Sequence, residues 1–254
     1  MNLFDLTGKT ALVTGASSGL GWQFAQVLAE YGADVAVAAR RVDRLQQLAA
    51  EIWASGKRCL PVQCDVADED QVAAMVEKVV VEFGRLDILV NNAGVAILAP
   101  AQDLTLEDWS KSVAVNLTGV FLVAKHAGRQ MIKQNYGKII NTASMYGLVA
   151  NTFFPASSYH ATKAGVVNLT RSLAAEWGKY NITVNAIAPG FFPSEMTRDA
   201  FSMPEFQKYA KANSVLGRTG RDGELNGAVI YLASDASSYT TGVTIPVDGG
   251  WTAI

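Results

Sequence analysis

Tyr159-His160-Ala161-Thr162-Lys163 sets a phenol and an amine four residues apart, and Ser144 lies upstream in Asn141-Thr142-Ala143-Ser144. On a helix, residues i and i+4 stand one above the other on one face, so the two groups can act together. A phenol titrates near pH ~10, too high to make it an efficient proton donor at neutral pH. An ammonium beside it favours the phenolate, and is expected to lower that pKa. A drop of ~3 units corresponds to roughly 4 kcal/mol. A serine hydroxyl aimed at the same point would hold a carbonyl oxygen. Together these are the acid/base half of a ketone–alcohol interconversion. The pair also occurs by chance on surface helices, so the reading depends on a hydride carrier elsewhere in the chain.

Thr14-Gly15-Ala16-Ser17-Ser18-Gly19-Leu20-Gly21 is the candidate seat for that carrier. Its glycines let a backbone approach a pyrophosphate and leave helix N–H groups to receive it. The spacing is Gly-x-x-x-Gly-x-Gly, and standing alone it would also suit a tight turn. Its place directly after a strand favours a nucleotide. Farther on, Val37-Ala38-Ala39 ends in Arg40-Arg41. A ribose with free hydroxyls calls for a carboxylate here, whereas a 2′-phosphate calls for an arginine, whose planar fork suits phosphate. The expected cofactor is therefore NADP(H) in preference to NAD(H). A solvated helix start is the plainer reading of the two arginines.

Short apolar runs alternate with helical periodicity along the chain. Strands are expected at Lys9–Thr14, Asp34–Ala39, Arg58–Gln63, Asp87–Val90, Lys138–Asn141, Thr183–Ala188 and Thr244–Val247. Helices are expected at Gly19–Tyr31, Val42–Ser55, Glu69–Phe83, Leu106–Lys133, Tyr159–Trp177 and Glu224–Ala233, with a short one near Pro204–Asn213. This alternation predicts a single-domain α/β Rossmann fold over residues 1–254, a doubly wound parallel sheet of about seven strands flanked by helices. Ligands of such sheets bind beyond the carboxyl ends of the strands, where these motifs fall.

Half of the residues are apolar, 17% are charged and the formal net charge is −2. No basic block suggests nucleic acid, and no apolar run approaches the ~20 residues of a membrane span. The first residues lack the basic-then-apolar pattern of a secretory leader, so a cytoplasmic protein is expected. Cys59 and Cys64 lie five apart on one strand and point to opposite faces, which argues against a disulfide between them. His126 and His160 have no partners at metal-ligand spacing, and both read as ordinary helix residues. No metal is expected.

The chain resembles the short-chain dehydrogenase/reductase family over nearly its whole length. The resemblance is carried by Thr14–Gly21, Cys64-Asp65-Val66, Asn91-Asn92-Ala93-Gly94, Asn116-Leu117-Thr118-Gly119, Ser144, Tyr159-x-x-x-Lys163, Pro189-Gly190 and Asp248-Gly249-Gly250. Each segment is weak alone, but together in this order they are specific. The resemblance implies that Tyr159 is the general acid/base, that Ser144 binds the substrate oxygen and that Lys163 holds the nicotinamide ribose. Asn116 would hold a water that relays protons, with an i−4 backbone bond as the plainer alternative. For the cofactor it implies Gly15, Ser17, Ser18, Gly19, Leu20 and Gly21 at the phosphates, Arg40 and Arg41 at the 2′-phosphate, and Asp65 and Val66 at the adenine. Ala39 stands where NAD-preferring relatives tend to carry aspartate. Asn92, Ala93 and Gly94 would pass the cofactor over the sheet edge, with Asn91 tying neighbouring strands. Pro189, Gly190, Phe192 and Ser194 would meet the nicotinamide end. A homotetramer, or a homodimer, packed through the two long helices is also implied.

One feature departs from the family pattern, and two subfamilies bear comparison with the chain. Ser144 and Tyr159 are fifteen positions apart, against about thirteen in many relatives, and the added length lies in Val149–Pro155. With Ser144, Met145, Phe154, Tyr159 and Phe191 as candidate substrate contacts, the pocket reads as largely apolar and suited to a small carbonyl or alcohol. Gluconate 5-dehydrogenases look similar, but related enzymes place an arginine after Asn-Asn-Ala-Gly, where this chain has Val95-Ala96-Ile97-Leu98. Reductases of acyl-carrier-protein thioesters use basic residues near the ends of the long helices; Asn135 and Tyr180 align there, with Lys133 and Lys179 close by. A non-enzymatic dinucleotide-binding regulator is the remaining alternative, although such members typically lose the tyrosine or the lysine.

Overall fold

Seven apolar runs pair into one all-parallel sheet in the computed structural model, which describes residues 2–254. The strands are β1 (Thr10–Thr14), β2 (Asp34–Ala39), β3 (Cys59–Gln63), β4 (Ile88–Asn91), β5 (Gly137–Thr142), β6 (Ile182–Pro189) and β7 (Thr244–Val247). The helices are α1 (Gly19–Glu30), α2 (Val42–Ala54), α3 (Glu69–Phe83), α4 (Leu106–Val113), α5 (Gly119–Gln134), α6 (Ser157–Trp177), α7 (Arg198–Phe201), α8 (Pro204–Ala212) and α9 (Asn226–Ala233). The strand order is β3-β2-β1-β4-β5-β6-β7. The sequence winds outward one way from β1 to β3, then crosses back to β4 beside β1. That reversal makes the crevice at the carboxyl ends of β1 and β4 the place for a ligand.

Side chains alternate across the sheet and build two apolar layers. Ala11, Val13, Val35 and Val37 face one layer with Phe24 and Leu28 of α1, Leu45 and Leu48 of α2, and Val229 of α9. Leu12, Ala36 and Leu89 face the other with Val72 and Met75 of α3, Val123 and Ala127 of α5, and Leu173 of α6. Cys59 belongs to the first layer and Cys64 to the second, on opposite faces as expected, and both are unpaired. Burial pushes their thiols up to about 12 and about 11, so neither is a ready nucleophile.

The expected long helix from Leu106 to Lys133 is interrupted. Residues Ala114–Thr118 form a π-helical segment between α4 and α5. The pattern of apolar residues gives no sign of it, because each flank keeps its own helical period. α6 begins at Ser157, two residues before the expected start, and α9 begins at Asn226. The four-residue α7 is too short to leave a periodic signal. Among the described residues, no helix is long and apolar enough to cross a membrane.

Candidate active site

The loop from β1 to α1 opens one wall of a cleft of about 480 Å³. Gly15 and Gly21 are required by packing. A Cβ on Gly21 would lie 2.4 Å from the Gly15 carbonyl oxygen, and one on Gly15 would lie 2.8 Å from Ala93 Cα. Neither neighbour can yield, since both are backbone. α3 and α4 have side-chain caps, from Asp68 and Thr105. By contrast, Ser18 at the N-cap of α1 makes no side-chain cap bond, so the first N–H groups of α1 stay available to an anion. These features fit a dinucleotide pyrophosphate.

Ser17, Ser18, Gly19 and Leu20 line the cleft with Gly15, while Gly21 lies behind them as a close-approach point. Arg40 is exposed at the rim. Arg41 is the organised arginine: it donates to Ser17 Oγ from Nε at 3.2 Å and Nη2 at 3.0 Å, and to Ser18 Oγ at 2.9 Å. It also pairs with Glu195 across the cleft. Asp65 and Val66 line the next stretch; Asp65 accepts from the Ala67 N–H at 3.1 Å.

The crossing of β1 and β4 is tied by Thr14 and Asn92. Thr14 Oγ1 accepts from the N–H groups of Asn92 at 3.0 Å and Ala93 at 3.1 Å. The Asn92 amide donates back to the Thr14 carbonyl at 3.1 Å. Asn91 ties β4 to β1, as expected, by accepting from Thr14 Oγ1 at 3.5 Å, and its amide also reaches across the layer to donate to the Val120 carbonyl of α5 at 2.7 Å. Asn92, Ala93 and Gly94 all line the cleft.

Ser144 follows β5, and its Oγ accepts from the Tyr146 N–H at 3.1 Å. With one lone pair so engaged, its own proton is free to be donated elsewhere. Tyr159 and Lys163 rise from α6 into the cleft. Lys163 is 3% exposed, and its Nζ donates to the Thr142 carbonyl at 2.6 Å and stands 5.6 Å from the Tyr159 ring centroid. Loss of hydration pulls the Lys163 ammonium down to about 8. It also raises the Tyr159 phenol, opposed by a hydrogen bond with Ser144. The lowering expected from the lysine is thus not what governs the phenol. Burial governs the phenol, and burial also weakens the ammonium.

Asn116 sits in the π-helical segment, where the widened turn releases its side chain from any i−4 bond. Its amide clasps Val95, accepting from the N–H and donating to the carbonyl, both at 2.8 Å. This fixes Gly94 and Val95 against the same corner; a Cβ on Gly94 would lie 3.3 Å from Asn116 Oδ1 and 3.7 Å from Lys163 Nζ.

Ser194 lines the cleft and packs against Gly19. Pro189, Gly190 and Phe192 do not line it. Gly190 is pressed against Asp248, and Phe192 fills space beside Gly220, where a Cβ would meet its ring at 2.3 Å. Phe191 and Phe192 border a second hollow of about 310 Å³. Met145 is buried with Tyr146 and Trp251, flanked by Tyr159 and Phe191. Phe154 packs on Phe191 and Phe206 at centroid distances of 6.3 and 5.7 Å. An aromatic cluster therefore stands beside Ser144 and Tyr159, outside the main cleft.

Sequence reasoning missed Glu195, Met196, Thr142 and Val115, which line the cleft. It also missed His160, which stacks on Tyr146 at 4.5 Å and bonds Asn151 from Nε2 at 3.1 Å. Only the sequence adjacency of His160 to Tyr159, and of Glu195 to Ser194, could have signalled them.

A family model described as enoyl-(acyl carrier protein) reductase matches residues 15–252. A 2-dehydro-3-deoxy-D-gluconate 5-dehydrogenase from Dickeya dadantii is 41% identical, over 100% of this chain and 99% of its own. The 3-oxoacyl-acyl-carrier-protein reductase FabG of Staphylococcus aureus is 44% identical, over 95% and 97%. A short-chain type dehydrogenase/reductase from Mycobacterium marinum superposes with a TM-score of 0.96 at 44% identity, covering 100% of this chain and 99% of that one. A gluconate 5-dehydrogenase from Burkholderia cenocepacia, in complex with NADP and tartrate, superposes with a TM-score of 0.96 at 38% identity, covering 100% and 98%.

Proposed function

Because the chain belongs to the short-chain dehydrogenase/reductase family, whose members are oxidoreductases acting on CH–OH groups, we propose that it interconverts a ketone and a secondary alcohol with NADP(H), Tyr159 serving as general acid/base. The observation that carries this reading is the joining of three groups in one cleft: the glycine loop, the Arg41 cluster, and Tyr159 with Lys163. When bound, the dinucleotide supplies the hydride.

In the reducing direction, Tyr159 gives its phenolic proton to the carbonyl oxygen. Ser144, its acceptor side held by the Tyr146 N–H, keeps its proton and donates a hydrogen bond to that oxygen, which orients the carbonyl. Lys163 holds ribose hydroxyls and contributes charge that favours the phenolate left behind. Asn116 fixes Gly94 and Val95 against the corner where Lys163 lies, so it positions the lysine's surroundings and the path by which Tyr159 regains a proton. Arg41, Ser17 and Ser18 favour a phosphorylated ribose, which supports NADP(H) over NAD(H).

The substrate we infer is a small neutral ketone or alcohol. Tyr146, Phe154, Phe191 and Trp251 give an aromatic setting, and Val95 and Met196 add apolar surface within the cleft. Sugar acids and acyl-carrier-protein thioesters, the substrates in the relatives' names, would find few cations there. The test is NADPH oxidation against neutral ketones, oxo-acids and an acyl thioester, with Tyr159→Phe as control. Turnover retained in that variant, or a marked preference for anionic substrates, would overturn the reading.

A further inference from the structure

Glu195 follows β6 on the far side of the cleft from Arg41, yet its carboxylate is bound by that arginine. Arg41 Nη2 donates to Oε2 at 2.8 Å and Nη1 to Oε1 at 3.4 Å. The same guanidinium gathers the hydroxyls of Ser17 and Ser18. The Arg41 guanidinium, helped by the nearby Ser18 hydroxyl, holds the Glu195 carboxyl below the usual carboxylate range. A planar fork that gathers two hydroxyls and holds one carboxylate at the end of β2 is a phosphate-type arrangement. Here the anion filling it is the protein's own.

We propose that Glu195 is a specificity-determining residue for the dinucleotide, its carboxylate occupying the seat that Arg41, Ser17 and Ser18 would give to a ribose 2′-phosphate. The proposal rests on the reading that this cleft takes NADP(H). A 2′-phosphate carries more charge and more acceptor oxygens than a carboxylate, so it displaces Glu195 from the guanidinium. A ribose with free hydroxyls carries no anion and leaves the Arg41–Glu195 pair in place. Glu195 therefore weakens binding of the phosphorylated dinucleotide and leaves the unphosphorylated one almost untouched. The pair also tethers a roof: Ser194 packs on Gly19, where a Cβ would approach Ser194 Cβ at 3.1 Å, and its hydroxyl bonds Thr197 at 2.9 Å. Displacing Glu195 loosens the segment that covers the glycine loop.

The experiment is titration calorimetry of the full-length protein with NADPH, NADH and adenosine 2′,5′-bisphosphate, for wild type, Glu195→Gln and Glu195→Asp. Both side chains of the pair are substantially exposed, so folding is retained, and a melting curve checks it. Glu195→Gln is expected to bind NADPH and the bisphosphate about threefold to tenfold tighter, with NADH changed by less than about twofold. Glu195→Asp, one methylene too short to reach Arg41, is expected to follow Glu195→Gln. Unchanged or weaker NADPH binding in Glu195→Gln overturns the proposal. So does wild-type behaviour in Glu195→Asp, because the effect would then be net charge and not occupancy of the seat. Failure of the underlying reading looks different: wild type would bind NADPH no better than NADH, and Arg41→Met would alter neither.

Discussion

Lys163 Nζ stands 5.6 Å from the centre of the Tyr159 ring, and its hydrogen bond, at 2.6 Å, goes to the Thr142 carbonyl. Lys163 is buried and Tyr159 is half-buried at the cleft wall. Burial raises the phenol above its ordinary value and lowers the ammonium to about 8. Burial thus shifts each group toward its neutral form, while the Lys163 ammonium, at about 8, keeps its charge at neutral pH.

Replacing Tyr159 with phenylalanine removes the proposed proton donor and little else. Turnover is expected to fall by about 10²–10⁴-fold, with the NADPH dissociation constant changed by less than about twofold. Steady-state rates and a binding titration on one preparation check both. In the ligand-free wild type, ultraviolet difference absorbance against Tyr159→Phe should give no phenolate signal from Tyr159 below its ordinary value of 10.0.

Lys163 predicts a pH dependence of stability. Its folded pKa, about 8, lies below the ordinary 10.5, so between these values the unfolded chain binds more protons and stability rises with pH. The gain is bounded at about 3 kcal/mol. Denaturant unfolding of wild type and Lys163→Met near neutrality and in alkali should give a difference that moves in favour of wild type as pH rises. A flat difference would mean that the lysine is not desolvated.

Gly21→Ala should fail at the cradle. The added methyl group meets the Gly15 carbonyl oxygen at 2.4 Å, and relief requires moving the loop backbone. Overpacking of this kind costs about 1–3 kcal/mol, and dinucleotide affinity should fall by more than about tenfold. Thermal melts and calorimetry check the two effects separately.

His160 should govern substrate affinity more than rate. The Phe153 and Phe154 N–H groups donate to Asn151 Oδ1 at 2.9 and 2.7 Å, which turns the Asn151 Nδ2 group toward His160 Nε2. His160 Nδ1 then donates to the Ala156 carbonyl at 2.7 Å. This clasp shapes the loop between Ser144 and Tyr159. In His160→Ala, KM for a ketone is expected to rise by about tenfold while kcat stays within about threefold.

Most of the fold could be read from the chain because a doubly wound sheet repeats one simple pattern, an apolar strand followed by an amphipathic helix. The glycine loop was equally readable as a close-packed turn, since Gly15 and Gly21 have no substitute where backbone meets backbone. What escaped was set by contacts between residues far apart in sequence. Arg40 and Arg41 look alike in the sequence, and only the approach of Ser17, Ser18 and Glu195 distinguishes the second. His160 carries no pattern that would reveal its bond to Asn151. Phe192 sits beside Phe191 and close to Ser194, but the irregular chain after β6 turns it toward Gly220 and away from the cleft.

The π-helical segment at Ala114–Thr118 has a bearing on redesign. Each residue of an α-helix advances the azimuth by about 100°, so one residue accommodated in a wider turn resets the phase of all that follows. α4 can thereby present Ser112 to Ser158 of α6, while α5 turns Val123, Ala127 and Met131 toward the sheet. Deleting a single residue from this stretch to make a straighter, more regular helix would rotate one of those faces out of alignment. The irregularity is the joint that lets one continuous rod serve two differently oriented surfaces.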